Sequence, residues 1–534
     1  MEWQKSRRTA ILLRRSIGVL LVLSALWYTC WLPGILNKHI WWLSIPFFLS
    51  QCFVAFLVCI TAFNNWHRSS PHFYPCPDDI IPTVAVLVPT YNEPPDMVRK
   101  TLVSILMQRW PEEKLVLVVG DDGYRTAIKH LVKELQLLYT PRGLHYLQPP
   151  RKGTPERQGS SKDGNLNAML MFLAKCYPTV SFVETRDADD LVGDSSFLQY
   201  TIGYLLRHPQ TAYVQTIKDA SVSPGDPFGN RMAFFYRGMM LSRDAANAVF
   251  PCGSGLVWRK SYLEAIGGFP TWNVVEDLYS GYIALQRGFQ GSYLPLIGAV
   301  AQVAPEDLSN VYKQRGTWAL DTFRLCLWKS PLIVKGLTLR QRFQFLEIGL
   351  FYLLSLPLLV LILTAPICLI CETEPFVTDP LTYALHFWPY LILVEAFAFV
   401  LGNEIAPREV WRAKQMLMCL LFVYLKAFLL ALYYGPDRKP CYKVTRKVRQ
   451  ERLYLKEMML HIILFLLLFF SVFYHIVSYE RGLLRNLDLG AIGWTLFSLL
   501  LLSGVIRRGW YGVDLKTLFK DKWFQMKRNL KKEK

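Results

Sequence analysis

Four short runs carry the side chains in this chain that can do chemistry together. They are Asp121-Asp122-Gly123, Asp187-Ala188-Asp189, Val275-Glu276-Asp277 and Gln314-Arg315-Gly316-Thr317-Trp318. Two carboxylates one residue apart at the end of a strand present hard oxygen ligands, the kind that Mg²⁺ or Mn²⁺ takes when it also touches a diphosphate. Such a cation neutralises charge building on a departing nucleoside diphosphate. A separate carboxylate must then remove the proton of an attacking hydroxyl, and Asp277, with Glu276 beside it, is the candidate base.

Each run also has a plainer reading. Asp187-Ala188-Asp189 is a possible solvated turn, with Asp190 capping the next helix. Asp121-Asp122-Gly123 is either an ordinary strand-to-turn signal or a contact to a nucleoside base or ribose. Glu276-Asp277 is otherwise an acidic pair at a helix start. Lys162-Asp163-Gly164-Asn165 is either a helix start or a lysine reaching a phosphate. Gln314 and Trp318, at i and i+4, share a helix face. There the Trp offers a flat surface to a pyranose ring, or anchors the helix at a membrane interface.

The elements that must position these groups lie between Thr83 and about Trp328. Apolar β-rich runs (Thr83–Val88, Leu115–Val119, Phe182–Thr185, Tyr213–Thr216) alternate with helical segments (Met97–Gln108, Arg125–Leu138, Gly164–Cys176). Continuously apolar strands alternating with helices predict a mostly parallel sheet covered on both faces, with ligands beyond the carboxyl ends of the strands. Pro89-Thr90-Tyr91-Asn92-Glu93, Asp121-Asp122-Gly123 and Asp187-Ala188-Asp189 all fall at such ends. The loop Pro149–Lys162, rich in Gly, Ser, Pro and charge, is expected to be mobile.

Around this insert the chain turns apolar. Its 534 residues are 52% hydrophobic and carry a net charge of +19, too apolar for a soluble enzyme and too interrupted for a pure membrane bundle. The basic residues cluster beside apolar spans, at Arg7, Arg8, Arg14 and Arg15, at Arg438 through Arg449, and from Arg507 onward. That is the positive-inside pattern with attraction to anionic lipid, and it argues against nucleic acid as a partner. The eleven cysteines form no CxxC pair or disulfide-like spacing.

Ile17–Leu36, Trp41–Phe63, Ile348–Cys371, Tyr383–Leu401, Met416–Tyr434, Met458–Val477 and Leu489–Ile506 are the candidate spans. The first is read as an uncleaved anchor, since no small-residue cleavage site follows it. The acidic link bearing Glu372, Glu374 and Asp379 faces outward, whereas the basic links face the cytosol. An even number of crossings must then separate the insert from Arg438–Arg449, and Met416–Tyr434, which holds Lys426, is assigned to the membrane plane. Six crossings follow, with both termini cytosolic and seven as the alternative. Glu395 and His386, inside a span, are expected to line a polar interior or to bond between helices. The expected organisation is 1–70 with two spans, 80–310 catalytic, 311–342 interfacial with the QRGTW run, 343–405 a transmembrane pair, 406–450 an interfacial helix and loop, 451–510 a second pair, and 511–534 a basic tail.

Taken together, Pro89–Glu93, Asp121-Asp122-Gly123, Lys162–Asn165, Asp187-Ala188-Asp189, Val214-Gln215-Thr216, Phe250-Pro251-Cys252-Gly253-Ser254, Val275-Glu276-Asp277 and Tyr442-Lys443-Val444-Thr445-Arg446-Lys447 resemble the processive family 2 glycosyltransferases. The likeness is greatest to bacterial cellulose synthase catalytic subunits, and it covers about Thr83 to Ile506. It implies an α/β GT-A domain on interfacial helices over a membrane channel, in the inner membrane with the catalytic domain cytosolic. It further implies a UDP-sugar donor, a growing polysaccharide acceptor, Mg²⁺ or Mn²⁺, and accessory secretion subunits as candidate partners. By that resemblance Thr90, Tyr91, Glu93, Asp121, Asp122 and Lys162 contact the nucleotide, and Asp187 and Asp189 the metal. Asp277 is the base, and Trp318, with Gln314, Cys252, Gly253 and Ser254, meets the acceptor. A gating loop with Tyr442, Val444, Thr445 and Lys447 closes over the nucleotide, its basic residues matching an anionic diphosphate.

Three departures stand out. Thr317 occupies the place of the arginine in the family's QxxRW, which removes a fixed cation from the pyrophosphate; Lys313, one helical turn earlier, is the candidate substitute, with Arg315 beside it. Val275 replaces a threonine. The segment after Ile506 is too short for the cyclic di-GMP-binding barrel of many bacterial relatives, so control by that route is not expected. The expected activity is β-glucan synthesis from UDP-glucose, cellulose-like. A β-1,3 or mixed-linkage glucan, a single transfer to a lipid, and an inactive scaffold are the rivals.

Overall fold

The computed structural model describes residues 2–139, 143–402, 405–441, 446, 450, 452–484 and 486–511. Tyr442, Val444, Thr445 and Lys447 of the expected gating loop lie outside them.

The centre of the segment between the two groups of apolar helices is a mixed eight-stranded sheet in the order β3-β2-β1-β4-β7-β6-β8-β5. Its strands are β1 (Val84–Thr90), β2 (Leu115–Asp121), β3 (Leu144–Leu147), β4 (Phe182–Thr185), β5 (Asp190–Val192), β6 (Thr211–Ala220), β7 (Leu256–Arg259) and β8 (Gln290–Ala301). β3, β2, β1 and β4 run parallel, with Val84 beside both Leu115 and Phe182. β7 enters antiparallel between β4 and β6, and β5 is antiparallel to β8. The sheet is therefore mostly parallel on one half and mixed on the other.

Alternate side chains of β1 and β2 feed two cores. Val84, Val86, Val88, Leu117 and Val119 face one side, where they meet Val98, Leu102 and Ile105 of α3 (Pro95–Leu106) and Ile128 and Leu131 of α4 (Thr126–Tyr139). Ala85, Leu87, Val116 and Val118 face the other, against Leu166, Met169 and Leu173 of α5 (Lys162–Cys176). Full burial of each such Val, Leu or Ile contributes about 2 kcal/mol. Gly120 in β2 admits the first turn of α5: a Cβ there would lie 2.0 Å from Asn165 Oδ1, and Asn165 Nδ2 donates to the Gly120 carbonyl at 2.7 Å. That contact fixes the N-terminus of α5 at the carboxyl edge of the sheet. The domain is completed by α6 (Phe197–Arg207), α7 (Met240–Ala245), α8 (Lys260–Ala265) and α9 (Glu276–Gln286).

The remaining long helices are α1 (Glu2–Trp31), α2 (Trp41–Asn64), α10 (Leu308–Trp328), α11 (Leu339–Leu353), α12 (Ser355–Cys371), α13 (Pro380–Leu401), α14 (Pro407–Tyr434), α15 (Leu455–Glu480) and α16 (Leu489–Gly509). Among the described residues seven helical stretches, with α11 and α12 as one, are long and apolar enough to cross a membrane. Three links between them meet at one end of the bundle. The α1–α2 link touches the α12–α13 link through Asn37 N to Pro375 O (3.1 Å) and Val377 N to Ile35 O (2.7 Å). His475 Nδ1 pairs with Leu369 O at 3.0 Å, and Asp488 N, ahead of α16, donates to His475 Nε2 at 3.1 Å.

α14 behaves otherwise, because both of its ends touch the sheet domain. Arg412 donates to the Pro224 and Gly225 carbonyls, and just past the helix the Pro436 carbonyl accepts from Trp272 Nε1 at 2.8 Å. In between, α14 lies along α10, with Phe428 edge-on to Phe323 and Trp328 Nε1 donating to Ala431 O at 3.2 Å. Lys426 is exposed.

Glu395 follows the interhelical alternative, whereas His386 hydrogen-bonds within its own helix and meets α1 by stacking. The Glu395 carboxylate pairs with Lys414 of α14. The His386 ring stacks on Trp31 at 4.0 Å, and its Nδ1 pairs with the Thr382 carbonyl at 2.8 Å.

Candidate active site

Lys162, Asp187, Lys218, Gly253, Glu276 and Asp277 converge at the carboxyl edge of the sheet. Asp187 follows β4, Lys162 opens α5, Lys218 lies in β6, and Glu276 and Asp277 open α9. Lys162 Nζ is 2.7 Å from Asp187 Oδ1 and 3.2 Å from Glu276 Oε1. Lys218 Nζ is 2.6 Å from Asp187 Oδ2 and 2.7 Å from Asp190 Oδ2. The Asp187 amide donates to Ser254 Oγ at 3.3 Å. Asp189 is buried, and its carbonyl accepts from Gln302 N at 2.8 Å.

Gly253 is the point of closest approach. It has φ +82, and a Cβ on it would lie 2.9 Å from Asp277 Oδ2 and 3.3 Å from Lys162 Nζ. Only glycine reconciles that backbone with that proximity. Gln215 clamps the loop around it, its Oε1 accepting from Cys252 N at 2.7 Å and its Nε2 donating to Ser254 O at 3.0 Å.

The charges sort the carboxylates into two roles. Burial, then repulsion from Glu276, pushes the Asp277 carboxyl up to about 7, the range of an efficient base near neutral pH. Burial would also raise Asp187, but Lys162 and Lys218 hold it far below the usual carboxylate range, permanently anionic. Burial, followed by Asp187 and Asp189, raises Asp190 despite Lys218. Burial opposes the charged forms of both lysines, yet the surrounding acids lift them above the usual lysine range. The result is an anionic pocket with two fixed ammonium groups and one titratable base.

The β1 and β2 ends form the adjoining half. Glu93 Oε2 accepts from Thr90 Oγ1 and Tyr91 N, both at 2.8 Å. Tyr91 is exposed, with Lys152 Nζ 5.0 Å from its ring centroid. Asp121 has no exposed surface; its oxygens accept from Gly123 N, Arg125 N and the Arg125 guanidinium, so the carboxylate is committed to the turn. Asp122 forms a bidentate pair with Arg157 at 2.7 and 2.9 Å. Arg157 also holds the Pro150, Gly159 and Ser161 carbonyls, which ties the loop 149–162 to the β2 end and to Lys162. The expected mobility of that loop therefore gives way to a buried guanidinium with a fixed partner set.

On α10, Gln314 and Trp318 are half-buried, and the Arg315 guanidinium lies 4.7 Å from the Trp318 ring centroid. Arg315 is 5% exposed and donates to Gly229 O at 2.8 Å and to Met232 Sδ. It is thus committed to the fold, not to a pyrophosphate. Thr317 Oγ1 donates to Lys313 O at 2.8 Å, and Lys313 is half-buried without an acidic partner among the described residues. Of the loop 442–449, Arg446 is described: its backbone exchanges hydrogen bonds with the Asn310 side chain at 3.1 and 3.2 Å. Sequence patterns missed Lys218 and Arg157. A lysine inside an apolar strand, next to an acid-rich strand end, was the available signal for the first; a lone arginine in a polar loop gave none for the second.

Two family models match the chain. That of glycosyltransferase like family 2 matches residues 82–320, and that of cellulose synthase matches residues 265–435. Residues 82–320, which hold the eight-stranded sheet, are thus similar to glycosyltransferase family 2, and long apolar helices flank them. The second match, over residues 265–435, carries the likeness on to cellulose synthases. The chain is 31% identical over 354 residues to the cellulose synthase catalytic subunit (UDP-forming) of Pseudomonas fluorescens (strain SBW25), covering 64% of this chain and 45% of that protein. It is 27% identical over 404 residues to that of Komagataeibacter sucrofermentans, covering 72% and 50%. The chain thus spans about half the length of these relatives. A mannosyltransferase from Pyrobaculum calidifontis, solved with GDP-Man and Mn²⁺, superposes with a TM-score of 0.44 at 17% identity, covering 74% of this chain and 99% of that one.

Proposed function

We propose that the chain is a membrane-embedded, processive, inverting glycosyltransferase that extends a β-glucan from UDP-glucose and passes it across the membrane. The observation that carries this reading is the approach of Asp277 to Lys162 and Asp187 around Gly253. It offers a base with a pKa of about 7 a few ångströms from fixed charges able to grip a diphosphate. In this reading Asp277 takes the proton of the acceptor hydroxyl as the anomeric carbon is attacked from the opposite face. Lys162 and Lys218 hold phosphate oxygens, Tyr91 and Glu93 meet the nucleoside, and Trp318 carries the terminal sugar.

Asp187 and Asp189 suit a divalent cation, since Mg²⁺ is usually held by one or two carboxylates with substrate phosphates supplying further oxygens. Mg²⁺ or Mn²⁺ bound there would offset charge on the leaving diphosphate. Its ligand Asp187 already carries two ammonium groups, so the chain's own lysines compete for that carboxylate.

Three helix links meeting at one end of the bundle, and α14 with both ends on the catalytic domain, support six crossings with α14 in the membrane plane and the catalytic domain cytosolic. A β-1,3 or mixed-linkage product is the second reading, favoured by Thr317, whose hydroxyl is turned back onto its own helix. The test incubates purified protein with Mg²⁺ or Mn²⁺ and a panel of labelled sugar nucleotides, then digests the product with linkage-specific glucanases. A polymer from UDP-glucose is expected; a short glycolipid as sole product overturns processivity.

A further inference from the structure

A cavity of about 110 Å³ opens where α2 ends, α7 passes and α11 begins, lined by Asn64, Trp66, His67, Ser242, Arg340 and Gln344 among others, none of them acidic. Positive charge surrounds it. Arg15 Nη2 is 3.4 Å from His67 Nδ1, and the Arg15 guanidinium lies 5.2 Å from the Trp66 ring centroid. Arg14, 6% exposed, reaches the Trp66 carbonyl at 3.4 Å and keeps a buried Nε without a partner. Arg340 is exposed and makes no ion pair among the described residues. Burial, then Arg15, Arg340 and Arg14, hold the His67 imidazole below its usual pKa, as expected of cations without a counter-ion. The nearby carboxylate, Glu347, is taken by Thr61 Oγ1 at 2.8 Å and Asn64 Nδ2 at 2.7 Å.

The second observation is Ser242. It is 2% exposed, lines the cavity, and its hydroxyl has no hydrogen-bond partner among the described residues. A buried donor without an acceptor is costly, and an anionic oxygen in the cavity removes that cost. Hydroxyl, guanidinium and imidazole donors around one space fit a phosphate. The cavity adjoins the end of an apolar span, Lys38–Asn64, which brings headgroups rather than soluble metabolites within reach.

We propose that this cavity binds the phosphate of an anionic membrane lipid and that its occupancy is transmitted to the catalytic loop. The route is short. Arg243, next to Ser242, is fully buried, donates to the Gln344 carbonyl at 3.0 Å and lies 5.5 Å from the Phe250 ring centroid. Phe250 opens the segment that ends at Gly253 beside Asp277.

The test titrates the full chain in detergent with short-chain phosphatidylglycerol, short-chain phosphatidylcholine and inorganic phosphate, reading bound ligand by native mass spectrometry and intrinsic Trp fluorescence. Phosphatidylglycerol is expected to bind at least tenfold more tightly than phosphatidylcholine. Arg340→Gln should lower that affinity about tenfold and Arg340→Lys by less, with thermal midpoints unchanged because Arg340 is exposed. Equal affinities for the two lipids, or an unaffected Arg340→Gln, overturns the site; inorganic phosphate binding as tightly as phosphatidylglycerol overturns the lipid as its source. Amide exchange at residues 250–255 should slow with phosphatidylglycerol, and unchanged exchange overturns the transmission. None of these readouts involves sugar transfer, so their failure is separable from failure of the proposed activity.

Discussion

Lys218 sets its ammonium group 2.6 Å from Asp187 Oδ2, and the same nitrogen lies 2.7 Å from Asp190 Oδ2. With Lys162 on the other Asp187 oxygen, the first acid of the Asp187-Ala188-Asp189 run is saturated by cations belonging to the chain. A divalent ion arriving alone must displace one of them. Replacing Lys218 by Met removes a competitor, and Mn²⁺ binding without nucleotide, followed by electron paramagnetic resonance, should tighten about tenfold, equivalent to about 1.4 kcal/mol. An unchanged dissociation constant would mean that Lys218 leaves Asp187 free for the metal. Transfer should nevertheless fall, because the proposed grip on the phosphates loses a cation.

Asp277 gives a pH signature with a definite sign. A base must lose its proton to act, so the rate at low donor concentration should rise through about pH 7. Stability runs the other way. The folded chain holds this proton more tightly than the unfolded one, whose carboxyl titrates near 3.8, so stability drops as pH rises between 3.8 and about 7. Asp277→Asn should reduce transfer about 10²–10⁴-fold while nucleotide binding survives. Its thermal midpoint should gain on the wild type above pH 7 and not at pH 4. Wild-type rates in the Asn variant would remove Asp277 from the role of base.

Gly253→Ala tests the crowding at the centre. The methyl group would press on Asp277 Oδ2 at 2.9 Å while the backbone stays at φ +82. The strain alone costs about 1–2 kcal/mol, small against the expected loss of nearly all transfer, because Asp277 and Lys162 must move apart. A variant with a modestly lowered melting temperature and no polymer supports the geometry. Full activity in Gly253→Ala refutes it.

Much of this was legible in the chain, and the gaps have physical causes. Val84–Val88 and Leu115–Val119 declared themselves as buried parallel strands because every residue is apolar and most are β-branched. β7 and β8 did not. Leu256–Arg259 is four residues long, and Gln290–Ala301 is interrupted by Gly291, Pro295 and Gly298. The insertion of β7 between β4 and β6 is a long-range pairing that no local pattern encodes. Asp187 and Asp277 could be named from residue type and position. Lys218 stood out only as a lysine inside an apolar strand, and its partners Asp187 and Asp190 come from other parts of the fold. Arg157 was hidden the same way, its partner Asp122 lying 35 positions earlier. Arg315 and Asp121 show the reverse case: the residue types suggested ligands, but packing and turn-capping claim both side chains.

The placement of α14 makes the last prediction. Its 28 residues span about 42 Å at 1.5 Å per residue, long enough to cross a bilayer. Yet Arg412 near its start and Pro436 just beyond its end both touch the catalytic domain. A helix that crossed would carry one of those contacts to the opposite face, where the partner is absent. Hence Asp437 should share a side with the catalytic domain, and Glu374, on the link that meets Asn37, should lie opposite. Single cysteines at 374 and 437, in a chain whose own cysteines are replaced by serine or alanine, would be treated with an impermeant maleimide on sealed cells. Labelling at 374 and protection at 437, reversed in inverted vesicles, is the expected result. Labelling of both from outside would make α14 a seventh crossing and separate the Arg438–Arg449 segment from the active site it is argued to serve.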